Sequence, residues 1–309
     1  MKCDNNYVNE GITKKQEIIN KIRFLGLKEV FDELDSVNYA VIKGEATSIY
    51  VHGQENKRYY NEIDILINKQ DSILLERALI KHGFRRQSND RRKILFFNLF
   101  SHQSVPYHNK YKGISILVDI NYDVFWGEKR ASTFYSLVDK FLEDTTKTRV
   151  YGVNIKILNI KKAFIQMCLH CYKDINSLYL IYSRRQINKR ELYDIYWFLK
   201  QYQDELCESE ITRLAQEYEV TPYLYVVLGY VFALTDDPLL KLYMTSLEGP
   251  EGILLLNTYG LTEHKQWRID IKKRLSCNDL FAVILSDLSE KDILGIEVNR
   301  RAFSEEERG

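Results

Sequence analysis

A chain of 309 residues with 45% apolar and 28% charged side chains is long enough for two domains and has the composition of a soluble globular protein. A formal charge of +1 excludes a global field that would draw the molecule to nucleic acid. The longest apolar stretch, residues 223–234, is too short to span a bilayer, and Lys2, Asp4 and Glu10 leave no signal-peptide core, so no membrane partner and a cytoplasmic location are expected.

Ile18, Ile22, Leu25 and Phe31 recur at helical spacing over residues 16–34, a pattern weakened by Gly26. Residues 38–43 then read as a buried strand. Gly44 ends it, and residues 45–51 can open a helix whose free amides face a phosphate. In Glu62–Ile67 strict alternation puts Glu62, Asp64 and Leu66 on one strand face and Ile63, Ile65 and Ile67 on the other. Two carboxylates so close raise each other's pKa unless a cation neutralises them; the alternative is the solvated face of an edge strand. Magnesium suits the first reading, because it takes oxygen ligands from one or two carboxylates plus substrate phosphates.

Asp71 can cap a helix through Leu74, Leu75, Ala78 and Leu79. Residues 84–99 read as a hairpin that turns at 87–90 and returns as strand over 94–99. Arg85, Arg86, Arg91, Arg92 and Lys93 crowd that hairpin, either as a solvated tip or as an electropositive lip for phosphates or RNA. Residues 102–112, with His102, Pro106 and His108, read as a loop. The strand at 114–123 carries Leu117, Asp119 and Asn121 on one face, so Asp119 can supply a third carboxylate. A last strand at 153–158 closes this half. Past it the period changes from two to nearly four, which sets an α/β domain at 1–158 and a helical domain at 159–309.

Helices are expected at 161–172, 189–200, 210–218, 222–234 and 238–244, the fourth capped at Thr221, and again over 267–288 with a break at 276–279. In 189–200 the apolar stripe is Leu192, Ile195, Tyr196 and Leu199. Arg190 and Asp194 stand at i,i+4 on another face, either as a surface ion pair or as a phosphate-holding arginine oriented by an acid. The five cysteines lack the regular spacing of a disulfide framework, so no disulfide partner is expected. Cys168 and Cys171 share helical spacing with Phe164 and Met167 and read as packing residues rather than zinc ligands.

A glycine turn after a strand, an acid-x-acid strand and a later strand with one more acid resemble the nucleotidyltransferase superfamily. More narrowly, Lys43-Gly44, Arg58, Glu62-Ile63-Asp64, Asp119-Ile120-Asn121-Tyr122, Leu169-His170 and the set Arg190, Leu192 and Asp194 resemble the bacterial group described as uncharacterised nucleotidyltransferases. That resemblance implies an α+β fold, a nucleotidyltransferase-like mixed sheet with flanking helices followed by an α-helical C-terminal domain. It implies transfer of a nucleotidyl group, AMP from ATP, to an unidentified acceptor with release of pyrophosphate; the acceptor is a small molecule, peptide, protein or RNA. Glu62, Asp64 and Asp119 would hold one or two Mg2+ ions, and Asp119 would also act as the base. Lys43, Gly44, Arg58 and Arg190 would bind the nucleotide. Glu62 stands where the group carries Asp, and Asn121 where it carries His. A catalytically degenerate nucleotide-binding or protein-interaction module, and a toxin-like enzyme that modifies RNA or protein, are therefore the alternative functions.

Overall fold

The computed structural model of the chain describes residues 13–53, 60–101, 103–124 and 131–303. They divide into two compact units, the first ending at Ala163 and the second running on from Phe164. No helix among the described residues is long and apolar enough to cross a membrane.

The first unit opens with helices α1 (Lys14–Gly26) and α2 (Lys28–Glu33), strand β1 (Tyr39–Ile42), helix α3 (Gly44–His52) and strand β2 (Glu62–Ile67). Helix α4 (Ser72–Lys81), strand β3 (Arg85–Arg86), helix α5 (Arg91–Phe100), and strands β4 (Tyr107–Tyr111) and β5 (Ile114–Asn121) follow. Helix α6 (Ala131–Leu142) and strands β6 (Thr146–Val150) and β7 (Val153–Ile157) complete it. The strands form one mixed sheet in the order β3-β4-β5-β2-β1-β7-β6, with helices flanking it, as the resemblance implies. β2 runs parallel to β5 and antiparallel to β1. Because β1 and β2 are central, both of their faces are covered and their sequences are apolar almost throughout.

The helix expected over 16–34 is broken at Leu27, whose backbone leaves the helical region (φ −103°, ψ 0°). The break lets both pieces follow the sheet, burying Phe24, Leu27, Val30 and Phe31 completely or nearly so. Each such side chain contributes about 1.5–3 kcal/mol. Gly26 sits where α1 touches the sheet: a β-carbon there would collide with Ile116 and Tyr111. The glycine that weakens the helix pattern is thus a close-approach residue.

Several expectations are corrected. The arginine-rich segment is not a hairpin that returns as strand over 94–99. Asp90 accepts the Arg92 amide at 2.9 Å and caps helix α5, so capping overrides the short apolar run. The strand that pairs with β3 is β4, in the segment read as a loop. β5 returns from β4, and β7 from β6, through two-residue turns at Lys112-Gly113 and Tyr151-Gly152. β6 and helix α6 also stand where nothing was expected. Asp71 precedes α4 without a side-chain capping bond; Asn68 instead accepts the Gln70 amide at 3.0 Å.

In the second unit, helices α7 (Ile160–Asn176), α8 (Leu178–Arg184), α9 (Lys189–Gln201), α10 (Glu208–Glu217), α11 (Thr221–Thr235), α12 (Leu239–Leu247) and α13 (Pro250–Leu256) follow one another. Beyond them lie a two-stranded ribbon of β8 (Thr258–Tyr259) and β9 (Lys265–Gln266) and helices α14 (Ile271–Ser276), α15 (Leu280–Ile284) and α16 (Glu290–Phe303). The expected helix over 267–288 is thus two short helices, each with an aspartate cap, Asp270 and Asp279. α11 runs through the core: every residue from Tyr223 to Val231 is buried, and Val220 rather than Thr221 precedes its first turn. Cys168 and Cys171 are buried free thiols on α7, and burial pushes both well above the ordinary cysteine value.

Replacing Gly26 by valine is expected to lower stability by about 2 kcal/mol through overpacking against Ile116 and Tyr111. Thermal unfolding of the variant against wild type measures it, and an unchanged Tm contradicts the close approach.

Candidate active site

The end of β1 delivers the chain into Lys43 and Gly44, both at positive φ (57° and 38°). Lys43 also has ψ −159°, a region that glycine adopts readily and a lysine holds only at a cost of about 1–3 kcal/mol. Gly44 has a second reason to lack a side chain, since a β-carbon would lie 3.1 Å from the Tyr60 ring. α3 starts here, and no side chain caps its first turn. The positive end of the α3 dipole faces this turn, a position that favours an anion.

Glu45, the second residue of α3, turns inward and is 1% exposed. Its carboxylate accepts the hydroxyls of Tyr60 at 2.7 Å and Tyr151 at 3.2 Å. Burial, and then the adjoining Glu45 carboxylate, push the Tyr60 hydroxyl well above the ordinary tyrosine value, so it stays protonated and donates. This brace ties the glycine turn to the segment before β2 and to the β6–β7 turn. In the sequence its trace is the acid directly after a strand-ending glycine, and no spacing there points to the two tyrosines.

β2 and β5 pair in a register that sets Asp64 opposite Asp119. Alternation keeps both side chains on one face, and Glu62 lies two residues earlier on that face. Glu62, Asp64 and Asp119 each offer an oxygen within 4.8 Å of the others. Asp64 and Asp119 are 3% and 6% exposed, so the edge-strand alternative does not hold. Lys43 Nζ lies 2.6 Å from Asp64 Oδ1, and the Asn121 amide donates to the same oxygen at 3.3 Å. Burial works against the Lys43 charge, but Asp64, Glu62 and Asp119 outweigh it and hold the ammonium above the ordinary lysine value. Asn121, 1% exposed, thus orients a carboxylate. A donor set made only of carboxylate oxygens beside an open anion-binding turn fits Mg2+.

Arg58 and His102 lie outside the described residues. Arg190 belongs to the second unit, exposed on α9, whereas Asp194 is buried with Leu192, Ile195, Phe198 and Leu199. Asp194 therefore belongs to the apolar side of that helix. Of the basic cluster, Arg86 is bound internally to Glu76 at 2.6 Å and to the Tyr107 hydroxyl at 2.7 Å, while Arg85, Arg91 and Arg92 are exposed.

A second acidic group, His170, Asp174 and Glu191, gathers in the second unit. It is an ion-pair network: Asp174 meets Arg184 at 2.5 Å, Lys173 at 3.1 Å and His170 at 3.7 Å. Burial would raise the Asp174 carboxyl, but His170, Lys173 and Arg184 prevail and hold it well below the usual range. These three cations account for the buried charge of Asp174.

Residues 19–236 match the model of a family described as uncharacterised nucleotidyltransferase. No curated protein matches the chain. Among solved structures, the antibiotic-resistance factor ANT(2'')-Ia is similar at 9% identity, covering 64% of this chain and 93% of its own, with a TM-score of 0.38. An antigenic nucleotidyltransferase-like protein from Paracoccidioides brasiliensis is similar at 15% identity over 69% of this chain and 94% of its own, also with a TM-score of 0.38. ANT(2'')-Ia in complex with adenylyl-2''-tobramycin is similar at 10% identity over 67% and 99%, with a TM-score of 0.36.

Replacing Asp174 by asparagine is expected to cost about 2 kcal/mol at neutral pH, the worth of charge-assisted hydrogen bonds whose arginine partner still reaches solvent. Because the folded carboxyl lies below its unfolded value of about 3.9, this stabilisation is present above that pH and lost as pH falls through the folded value. Denaturant unfolding across pH should show wild type and variant converging in acid.

Proposed function

The chain belongs to the uncharacterised nucleotidyltransferase family, and from that premise we propose that it transfers a nucleotidyl group, AMP from ATP, to an acceptor oxygen with release of pyrophosphate. The observation that carries this reading is the convergence of Glu62, Asp64 and Asp119 within 4.8 Å on two adjoining strands. Those residues would hold Mg2+, one or two ions. Bound there, the metal supplies neutralisation of phosphate charge and a template for in-line displacement. The amides at the start of α3 receive phosphate oxygens, with Gly44 allowing the backbone to come close. Asp119 accepts the proton of the acceptor hydroxyl as its oxygen attacks the α-phosphorus and the bond to the pyrophosphate oxygen breaks. Asn121 keeps Asp64 directed toward the other two carboxylates, and Lys43, beside Asp64 in this structure, stands within the same turn as a nucleotide-binding group. Arg58 and Arg190 are proposed as further groups that meet phosphate charge.

Glu62 reaches farther than an aspartate by one methylene, and it is the more exposed of the three acids. The longer arm then comes from the solvent side of the cluster, a position in which the extra length is tolerated. The departure at Asn121 removes a titratable group but supplies a donor to Asp64, so it is compatible with a working site.

Calorimetric titration of Mg2+ with each nucleoside triphosphate into wild type and Asp64→Asn tests the site before an acceptor is known. Metal-dependent binding that disappears in the variant is the expected result, and equal binding by both proteins overturns the assignment. Once an acceptor is found, Asp119→Asn should lower turnover by about 10²–10⁴-fold, the range for loss of a general base. Glu62→Asp should retain or raise activity. Nucleotide binding without pyrophosphate release in any acceptor screen would instead identify a binding module.

A further inference from the structure

One member of the carboxylate cluster is already paired with the protein's own ammonium. Lys43 Nζ stands 2.6 Å from Asp64 Oδ1, in a cluster where Glu62 and Asp119 offer oxygens within 4.8 Å. Asp64 Oδ1 thus already has two partners, the ammonium and the Asn121 amide at 3.3 Å, and a metal at that oxygen competes with both. Lys43 also removes one of the negative charges that would attract a divalent ion, in a place where Asp64 is nearly excluded from water.

Lys43 is rooted at the turn itself. Its carbonyl accepts the Thr47 amide and so begins α3, while its side chain makes no capping bond and goes instead to Asp64. The ammonium is a compact charge on a flexible stem, so it can pass from Asp64 to an anion at the start of α3 by side-chain rotation alone. The backbone at φ 57° and ψ −159° is unfavourable for lysine, and the chain nevertheless keeps one there. A brace for the turn would not need a charge; a residue that exchanges carboxylate for phosphate would.

We propose that Lys43 is a resident counter-ion that leaves Asp64 when a nucleoside triphosphate binds, so that metal and nucleotide enter this site together and each tightens the binding of the other. The inference rests on the nucleotidyltransferase reading of the carboxylate cluster. Without phosphate, metal must displace the lysine and binds weakly. With phosphate the lysine has a new partner and the carboxylates are released to the metal. Reciprocity follows from linkage: whatever factor the nucleotide adds to metal affinity, the metal adds to nucleotide affinity.

Mn2+ serves as the probe, its free fraction read by electron paramagnetic resonance with and without an ATP analogue bridged by methylene between the α- and β-phosphorus, against matched titrations without protein that give the Mn2+ the analogue binds by itself. Wild type should bind Mn2+ about tenfold or more tightly with the analogue than without it, within the usual range of coupling between sites. Lys43→Met should bind Mn2+ alone about tenfold more tightly than wild type, and its gain on adding the analogue should shrink by a similar factor. Lys43→Gly removes the ammonium in a residue suited to φ 57° and should behave in the same way even if the methionine variant folds poorly. A structural brace predicts the opposite sign, weaker metal binding in both variants. If neither variant gains affinity while Asp64→Asn abolishes Mn2+ binding, the counter-ion role is overturned and the metal site stands. If Asp64→Asn binds Mn2+ as wild type does, the reading of the cluster falls and this inference falls with it.

Discussion

Glu62 and Asp64 on β2 and Asp119 on β5 are held close enough to repel one another, and the residues around them answer that repulsion. The alignment follows from burial on the opposite face of the same strands. Ile63, Ile65, Val118 and Ile120 are 0–2% exposed, and a one-residue slip between β2 and β5 would carry them out of the core and the acids into it. Hydrophobic packing thus enforces an arrangement that electrostatics alone would disperse. Lys43 and Asn121 then supply a cation and a donor at Asp64, where the accumulated charge is most deeply buried.

The acidic strand was legible because strict alternation and a flanking glycine turn coincide within a few residues, and Glu62–Ile67 forms the strand that pattern requires. The central β1 and the long buried α11 were legible for the same reason, strong and uninterrupted apolar patterning. The edges of the sheet were not. β6, at one edge, reads Thr-Lys-Thr-Arg-Val, and β4, which only the two-residue β3 separates from the other edge, reads Tyr-His-Asn-Lys-Tyr; both are mostly polar, so their evidence lies in the turns rather than in periodicity. α5 was mistaken for strand because a short apolar run suits either state, and the deciding feature was the Asp90 cap just ahead of it.

Within the site, residue types and spacing pointed to the carboxylates and the glycine turn, but not to what lies behind them. Glu45 is one position from the turn in sequence, yet its tyrosine partners come from two other segments, 60 and 151, and only the fold unites them. Asn121 looked like a loss when compared with a histidine. In the buried setting of Asp64, an uncharged donor that cannot be deprotonated orients the carboxylate without adding to or removing from the local charge. The Arg190 and Asp194 pair fared differently, since i,i+4 spacing says nothing of depth, and Asp194 lies on the buried side of its helix.

The parallel pairing of β2 with β5 also bears on how the chain reaches its native state. β4 with β5, and β6 with β7, are joined by two-residue turns and can close at small entropic cost. The β2–β5 ladder brings together strands separated by α4, β3, α5 and β4, a contact of high sequence separation that is slow to form. Asp64 and Asp119 are brought face to face by that ladder and by neither hairpin. A chain that has its hairpins but not this ladder does not bring Glu62, Asp64 and Asp119 together, so the carboxylate cluster depends on a long-range pairing and not only on the elements that carry the acids.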